Sequence, residues 1–301
     1  MRSNSSDSRT MAFYDYRPTS MLYHSCSAAG FAGITSNGSI WLSDLQYAND
    51  PKELQLAEIV DRVLMEVIRE EALPQVRAAY AGMKVQLQTL RQRFWMHSFS
   101  LSLQSDKLPM WQEYTDRGRG YCIGFRPSAF DHMSLRVQRV RYVQSEHLGA
   151  LHTAVAEIAA PLVGRQDDIA LRIGAVTSLL SLITATKEDT WQHEDEVRLI
   201  FSSMSRPSVD GKVNIPVGIL RDGTEIPARD PLLRTRGDVE VPYFDMQFGR
   251  YRSGRWDPSG AIAEVIVGPN NTRTVDEVSD ELRAKGYRGV KVIRSRCSFR
   301  P

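Results

Sequence analysis

The sequence predicts an α+β fold, a central mixed or largely antiparallel sheet with helical insertions. Strand-like and helix-like stretches follow one another irregularly, without the regular βα alternation of a doubly wound sheet. Leu54, Ile59, Val60, Val63, Leu64 and Val67 recur at helical spacing between two stretches that read as strands. The 301 residues, 42% hydrophobic and 25% charged, suffice for one large core or two small ones and are typical of globular chains.

The elements follow in order. Residues 1–18 are rich in Ser and Arg and read as a flexible leader; residues 19–301 read as one α+β unit. Met21 to His24 reads as a strand, Ala28 to Thr35 as a helix and Ser39 to Ser43 as a strand after the Asn37-Gly38 turn. Asp50, Pro51 and Glu53 have the spacing of a capping box and open a helical insertion over about 51–93, whose second helix starts at Pro74. The chain then returns as a strand at Phe94 to Ser100, turns helically at Pro109 to Tyr114, and forms strands at Tyr121 to Phe125 and Leu135 to Val143. Long helices are expected between about 145 and 186. Residues 203–260 are loop-rich: 203–238 and 249–260, dense in Arg, Gly, Pro and Asp, read as surface loops around short strands, with a longer strand at Val239 to Phe248. Ala261 to Val267 (strand), Val275 to Lys285 (helix) and Val290 to Ile293 (strand) close the chain.

Composition excludes more than it assigns. Thirty-eight basic against 36 acidic side chains leave a net charge of +2, too small to argue for nucleic acid or a membrane surface. Cys26, Cys122 and Cys297 lack CxxC spacing, which points to a reducing compartment and away from a zinc site. The N-terminus lacks the apolar core of a secretory signal and no run approaches a membrane span, so the expected location is cytoplasmic, with no membrane partner. Neither a GxGxxG turn after a strand nor a phosphate-binding P-loop is present.

The chemistry concentrates at Glu194-Asp195-Glu196-Val197-Arg198, which runs into Leu199-Ile200-Phe201. On an extended strand Glu194, Glu196 and Arg198 share one face, roughly 7 Å apart, while Val197, Leu199 and Phe201 share the other. Two crowded carboxylates take different protonation states, which suits acid–base or cation-stabilising chemistry. The ordinary alternative is an exposed edge strand on which Arg198 pairs with either glutamate. His193 falls on the opposite face, so a metal site here would need a bulge, and no metal is predicted. Ser98 and Ser100 share a strand face as a polar wall or as local backbone partners. Tyr23-His24 offers a ring to a ligand or a structural histidine, with Cys26 two residues on as a weaker nucleophile pairing. Trp111 and Tyr114 share a helix face and read as core, or otherwise as a pocket wall.

In order, Leu22-Tyr23-His24, Gly38 to Ser43, Asn49-Asp50-Pro51 with Glu53, Ser98-Phe99-Ser100, Met110-Trp111 with Tyr114, Ile123-Gly124-Phe125, and Lys187, Trp191, Glu194, Glu196 and Arg198 resemble a bacterial family known as domain of unknown function 2971. The resemblance covers about residues 21–201, with Val265 to Pro269 as a C-terminal element. A more distant resemblance is to ADP-ribosyltransferases, whose split sheet carries a His or Arg, then a Ser or Tyr element, then a Glu pair. Tyr23-His24, Ser98 with Ser100, and Glu194 with Glu196 occur in that order.

That resemblance implies an NAD-consuming transferase or NAD glycohydrolase, serving as a toxin or phage-defence effector, with NAD as co-substrate. Glu196 would stabilise the ribosyl cation, Glu194 would activate the acceptor, His24 would hold the nicotinamide ribose and Ser98 would support Glu196. The acceptor could be a protein, a nucleic acid or a small molecule. The other readings are a non-catalytic ligand- or partner-binding module and a metal-dependent hydrolase or nuclease using the glutamate pair.

Overall fold

The computed structural model describes residues 16–48, 55–93, 95–133, 135–144, 149–203, 216–219, 225–227 and 231–300. Its architecture is mixed α+β around a mostly antiparallel sheet, as expected. The strands are β1 (Leu22–Cys26), β2 (Ser39–Asp44), β3 (Trp95–Ser102), β4 (Tyr121–Phe125), β5 (Arg136–Arg139), β6 (Arg141–Val143), β7 (Thr186–Glu188), β8 (Glu196–Ser203), β9 (Pro216–Ile219), β10 (Glu225–Pro227), β11 (Leu232–Arg236), β12 (Val239–Gln247), β13 (Arg250–Arg252), β14 (Arg255–Asp257), β15 (Ile262–Val267) and β16 (Lys291–Arg294). The helices are α1 (Ala28–Asn37), α2 (Gln55–Glu70), α3 (Pro74–Arg93), α4 (Leu108–Tyr114), α5 (Gly149–Ala159), α6 (Ile169–Thr184) and α7 (Val275–Ala284).

Among the described residues ten strands join one sheet, in the order β11-β12-β2-β3-β1-β4-β15-β16, with β8 on the other edge of β3 and β5 beyond it. All of its pairs are antiparallel except β15 with β16. Strand β3 is the branch point. Along one edge it pairs with β8 from Trp95↔Ser203 to Ser102↔Glu196. Its other edge is shared: β2 takes Ser98 and His97 through Ser43 and Asp44, whereas β1 meets it only at Tyr23↔Ser102. The two neighbours diverge between these contacts, and residues 99–101 face a fork in the sheet.

Two cores result. One face of the sheet buries Leu101, Val197, Leu199, Phe201, Ile262 and Val265 with Phe31 of α1 and Leu282 of α7. Helices α2, α3, α5 and α6 enclose a second core through Val60, Leu64, Met83, Leu87, Val155 and Leu179. The predicted insertion and the later helices therefore pack on one another, because each pair presents an apolar stripe that neither could bury alone. The capping box at Asp50, Pro51 and Glu53 lies outside the described residues.

One segment departs from the sequence reading. Leu135 to Val143 is not one strand: Val140 N–H donates to the Glu196 carbonyl (2.9 Å) and Arg141 N–H to the Ala185 carbonyl (2.8 Å), so the chain changes partners there. Strand β6 then runs parallel to β7. Within the loop-rich stretch, β11 belongs to the main sheet, joined to β12 by a Gly237-Asp238 turn with Gly237 at φ 61°. Its mostly exposed, arginine-bearing LLRTR sequence suits an edge strand, which forms ladder bonds on one side and resists pairing with another chain on the other.

Trp111 is core, as expected: it is 1% exposed, packs with Cys122 and Ile266, and donates from Nε1 to Asp106 at 2.7 Å. Trp111→Ala should cost about 3–5 kcal/mol in denaturant unfolding and lower the Tm. Trp111→Phe should cost less. Unchanged stability of the alanine variant would contradict this packing.

Candidate functional site

The carboxylates come together by a bend that strand periodicity does not contain. Asp189–Glu194 is a 3-10 turn, Asp195 sits in the left-handed region at φ 43° and ψ 53°, and β8 starts only at Glu196. Aspartate tolerates this conformation better than most residues, and its side chain is held by Gln104 Nε2 (3.1 Å) and Arg139 Nη2 (3.1 Å). The bend is pinned from β3 and β6. Ser102 Oγ donates to the Glu194 carbonyl (2.6 Å), Leu103 N–H donates to the Asp195 carbonyl (3.0 Å), and Glu196 N–H donates to the Tyr142 hydroxyl (2.8 Å). Glu194 thus reaches Glu196 from a turn, not from a shared strand face.

The edge-strand reading also fails. Strand β8 lies between β3 and β5, and Glu194, Glu196 and Arg198 are only 5%, 3% and 2% exposed. Buried charge must be paired, and it is. Arg198 clasps Glu196 through Nε to Oε1 (2.8 Å) and Nη2 to Oε2 (3.0 Å), and its Nη1 donates to the Thr184 carbonyl (2.7 Å). Lys187 Nζ lies 2.7 Å from Glu194 Oε2 and 3.7 Å from Glu196 Oε2, over the Trp191 ring. The Tyr114 hydroxyl donates to Glu194 Oε1.

These partners separate the two acids. Burial and the neighbouring Glu196 charge push the Glu194 carboxyl above the usual glutamate range, despite Lys187. Burial also opposes ionisation of Glu196, but Arg198 outweighs it, with help from Lys187 and Ser100, and holds Glu196 well below that range. One carboxylate stays ionised while the other binds a proton more readily.

The remaining predicted residues line the same cleft of ≈ 540 Å³. His24 stands at the fork: its ring lies 4.2 Å from that of Phe99, and Nδ1 is 2.9 Å from the Ser100 carbonyl. A carbonyl only accepts, so Nδ1 carries a hydrogen. Burial lowers the His24 pKa to about 4, against the hydrogen bond to Ser100, which leaves the ring neutral with Nε2 as an acceptor.

Ser98 and Ser100 share the sheet face of Arg198 and Glu196, but Ser98 pairs in register with Ile200, and Ser100 is the serine bonded to Glu196. The expected support of Glu196 by Ser98 is corrected accordingly. Tyr23 also lines the cleft, and its hydroxyl is directed to Glu264 (3.4 Å). Cys26 is buried in the core, and burial pushes its thiol far up, which disfavours the thiolate that a nucleophile beside His24 would need.

Sequence reasoning gave no role to Lys187 or Tyr142, and for Tyr114 it put the core first and a pocket wall second. Tyr114 parts from Trp111 and turns to the cleft. The Lys187, Trp191, Glu194, Glu196, Arg198 spacing was visible, but the 3-10 turn that folds Lys187 onto Glu194 has no apolar period to announce it.

Residues 110–199 match the family model described as "Protein of unknown function (DUF2971)". The matched stretch contains Tyr114, Lys187, Glu194, Glu196 and Arg198, while His24 and the Ser98 strand precede it. No curated protein and no solved structure matches the chain. Among the described residues no group of three or more His, Cys, Asp or Glu is placed to hold a metal, and no helix is long and apolar enough to cross a membrane.

Arg198→Ala should destabilise the protein by about 3–5 kcal/mol, because it strands a buried carboxylate, and Arg198→Met with Glu196→Gln should recover much of that. The pH dependence has two limbs. Glu196, depressed in the folded state, contributes stability that is complete above the ordinary value of 4.5 and is lost as pH falls through its folded pKa. Glu194, raised, contributes the opposite sign: stability rises as pH falls through its folded pKa toward 4.5. Denaturant unfolding across pH should show the second limb vanish in Glu194→Gln; an unchanged slope would exclude the raised glutamate.

Proposed function

We propose that the cleft binds NAD and cleaves its nicotinamide–ribose bond, passing the ADP-ribosyl group to water or to an acceptor hydroxyl. The observation that carries this reading is the pair of buried carboxylates with opposite proton affinities in a cleft that a neutral histidine at the fork of the sheet also lines. The ADP-ribosyltransferase reading rests on these side chains and not on a match to a solved structure.

The chemistry follows from the groups. The C1′–N bond breaks with its electron pair going to nicotinamide, which leaves neutral, and the ribosyl centre becomes cation-like. Glu196 remains ionised at neutral pH and offers fixed negative charge in a largely water-excluded wall, where it acts more strongly than in water. The acceptor oxygen donates a lone pair to C1′, and its proton passes to Glu194 in its carboxylate form. A raised affinity for protons suits that base, and Lys187 and Tyr114 orient it. His24 Nε2 can accept from a ribose hydroxyl, and Ser100 steadies Glu196. NAD is consumed here and not held as a resident cofactor, so the absence of a Rossmann fingerprint is consistent with this use.

One observation favours a second reading. The bidentate grip of Arg198 already occupies both Glu196 oxygens, as in a purely structural ion pair, and under that reading the cleft binds a ligand without turning it over.

Release of nicotinamide from NAD, followed by mass spectrometry with and without EDTA and cell lysate, separates the readings. Wild type should release nicotinamide in EDTA, and Glu196→Gln should lower turnover about a hundredfold or more. Because Gln leaves Arg198 without its counter-charge, the comparison is made per folded protein, below the variant's Tm. Glu194→Gln should impair transfer more than hydrolysis. Equal turnover by wild type and Glu196→Gln would remove Glu196 from the chemistry; activity abolished by EDTA would replace the proposal with metal-dependent hydrolysis; no release under any condition would leave the binding reading.

A further inference from the structure

The cleft that ends in the two glutamates has a cationic, aromatic rim at its other side, built on β2 and the edge strand β11. Trp41 alternates outward on β2 and is 39% exposed, an unusual placement for the largest apolar side chain unless something covers it. Its ring is held from behind by Tyr243, with centroids 4.5 Å apart at 35°. Arg234 lies with its guanidinium carbon 5.9 Å from the Trp41 centroid and donates from Nη2 to Ser43 Oγ at 2.9 Å. All three of Trp41, Arg234 and Arg236 line the cleft.

Arg234 is incompletely satisfied. Its Nε is buried and has no hydrogen-bond partner among the described residues. Its charge is disfavoured first by burial and then by Arg236, two residues along the same strand, while the Tyr243 phenol gives only partial relief. A half-buried guanidinium with an unused donor, beside a second cation and an open indole face, matches an anionic group joined to a planar ring. A carboxylate ligand alone would leave Trp41 uncovered, and a base alone would leave the Arg234 donor unused.

We infer that Trp41, Arg234 and Arg236 form a subsite for a nucleoside diphosphate, with the base over Trp41 and the diphosphate on the two arginines. The inference deepens the NAD reading of the same cleft and rests on it for orientation: the nucleoside diphosphate half occupies the rim, while the ribose to be cleaved lies toward Glu194 and Glu196. The rim itself takes no part in bond cleavage, so its ligand binds whether or not turnover follows.

Calorimetric titration with ADP, adenosine and pyrophosphate therefore tests it separately from activity. Wild type should bind ADP more tightly than either fragment, with affinity falling as salt rises. Trp41→Ala and Arg234→Gln should each weaken ADP about tenfold or more. Trp41→Ala should lose the advantage of ADP over pyrophosphate, and Arg234→Gln the advantage over adenosine. Arg236→Gln should weaken ADP without altering adenosine. Tm values equal to wild type would separate these effects from misfolding; should Arg234→Gln not fold, Trp41→Ala and the fragment series still decide. ADP binding unaffected by Trp41→Ala and Arg234→Gln would overturn the subsite while leaving NAD cleavage to its own assay. Absence of ADP binding in a wild type that releases nicotinamide would also overturn it, and absence of both would overturn both readings.

Discussion

Four ionisable side chains, Glu194, Glu196, Lys187 and Arg198, lie beside one another at 5% exposure or less, and the surrounding structure has to make that arrangement tolerable. Removing each from water is costly, and only close opposite charge with filled hydrogen bonds offsets the loss. The arrangement meets this demand with two anions against two cations, a bidentate clasp and further donors from Tyr114 and Ser100. Well-packed apolar residues could fill such a volume at no loss of stability, so a cluster of this kind is better understood as serving chemistry or recognition than as a device for holding the fold.

The backbone around it is arranged to the same end. Strand β3 gives one complete edge to β8 and divides the other between β1 and β2, which opens the sheet where the polar side chains gather. An open ladder leaves backbone groups in need of partners, and the Ser100 carbonyl finds one in His24. That single hydrogen bond both repairs the fork and fixes the histidine tautomer. The left-handed Asp195 and the change of partner at Val140 work together in a similar way, since one brings Glu194 round and the other delivers Tyr142 to the Glu196 amide.

Electrostatically the cleft is divided. Its floor carries negative charge balanced within the protein, whereas its rim at Arg234 keeps donor capacity in reserve. A ligand with a diphosphate at one end and an electron-poor ribosyl centre at the other would meet complementary surroundings along its length. The cationic rim and the nearly neutral whole are compatible because net charge reports a sum, while recognition depends on where each charge stands.

The sequence alone determined the fold class and most element positions, because alternation at Val197, Leu199 and Phe201, helical spacing at Val60 and Leu64, and the Asn37-Gly38 turn are local signals that survive in the folded chain. It also singled out the residues that meet in the cleft, since charged and hydroxyl side chains placed against apolar runs demand partners wherever they end up. What it could not provide was the manner of their meeting. Glu194 joins Glu196 through a left-handed Asp195, Ser100 takes the place expected of Ser98, Tyr23 turns its hydroxyl to Glu264, and β11 rises from a loop-rich stretch to complete the sheet edge. The Ser100 and Tyr23 contacts join residues far apart in the sequence, the place of β11 depends on its register with β12, and the bend at Asp195 is a single residue with no periodic signature. A strand's period names the side chains that share a face, but strand pairing across the sheet decides which of them touch.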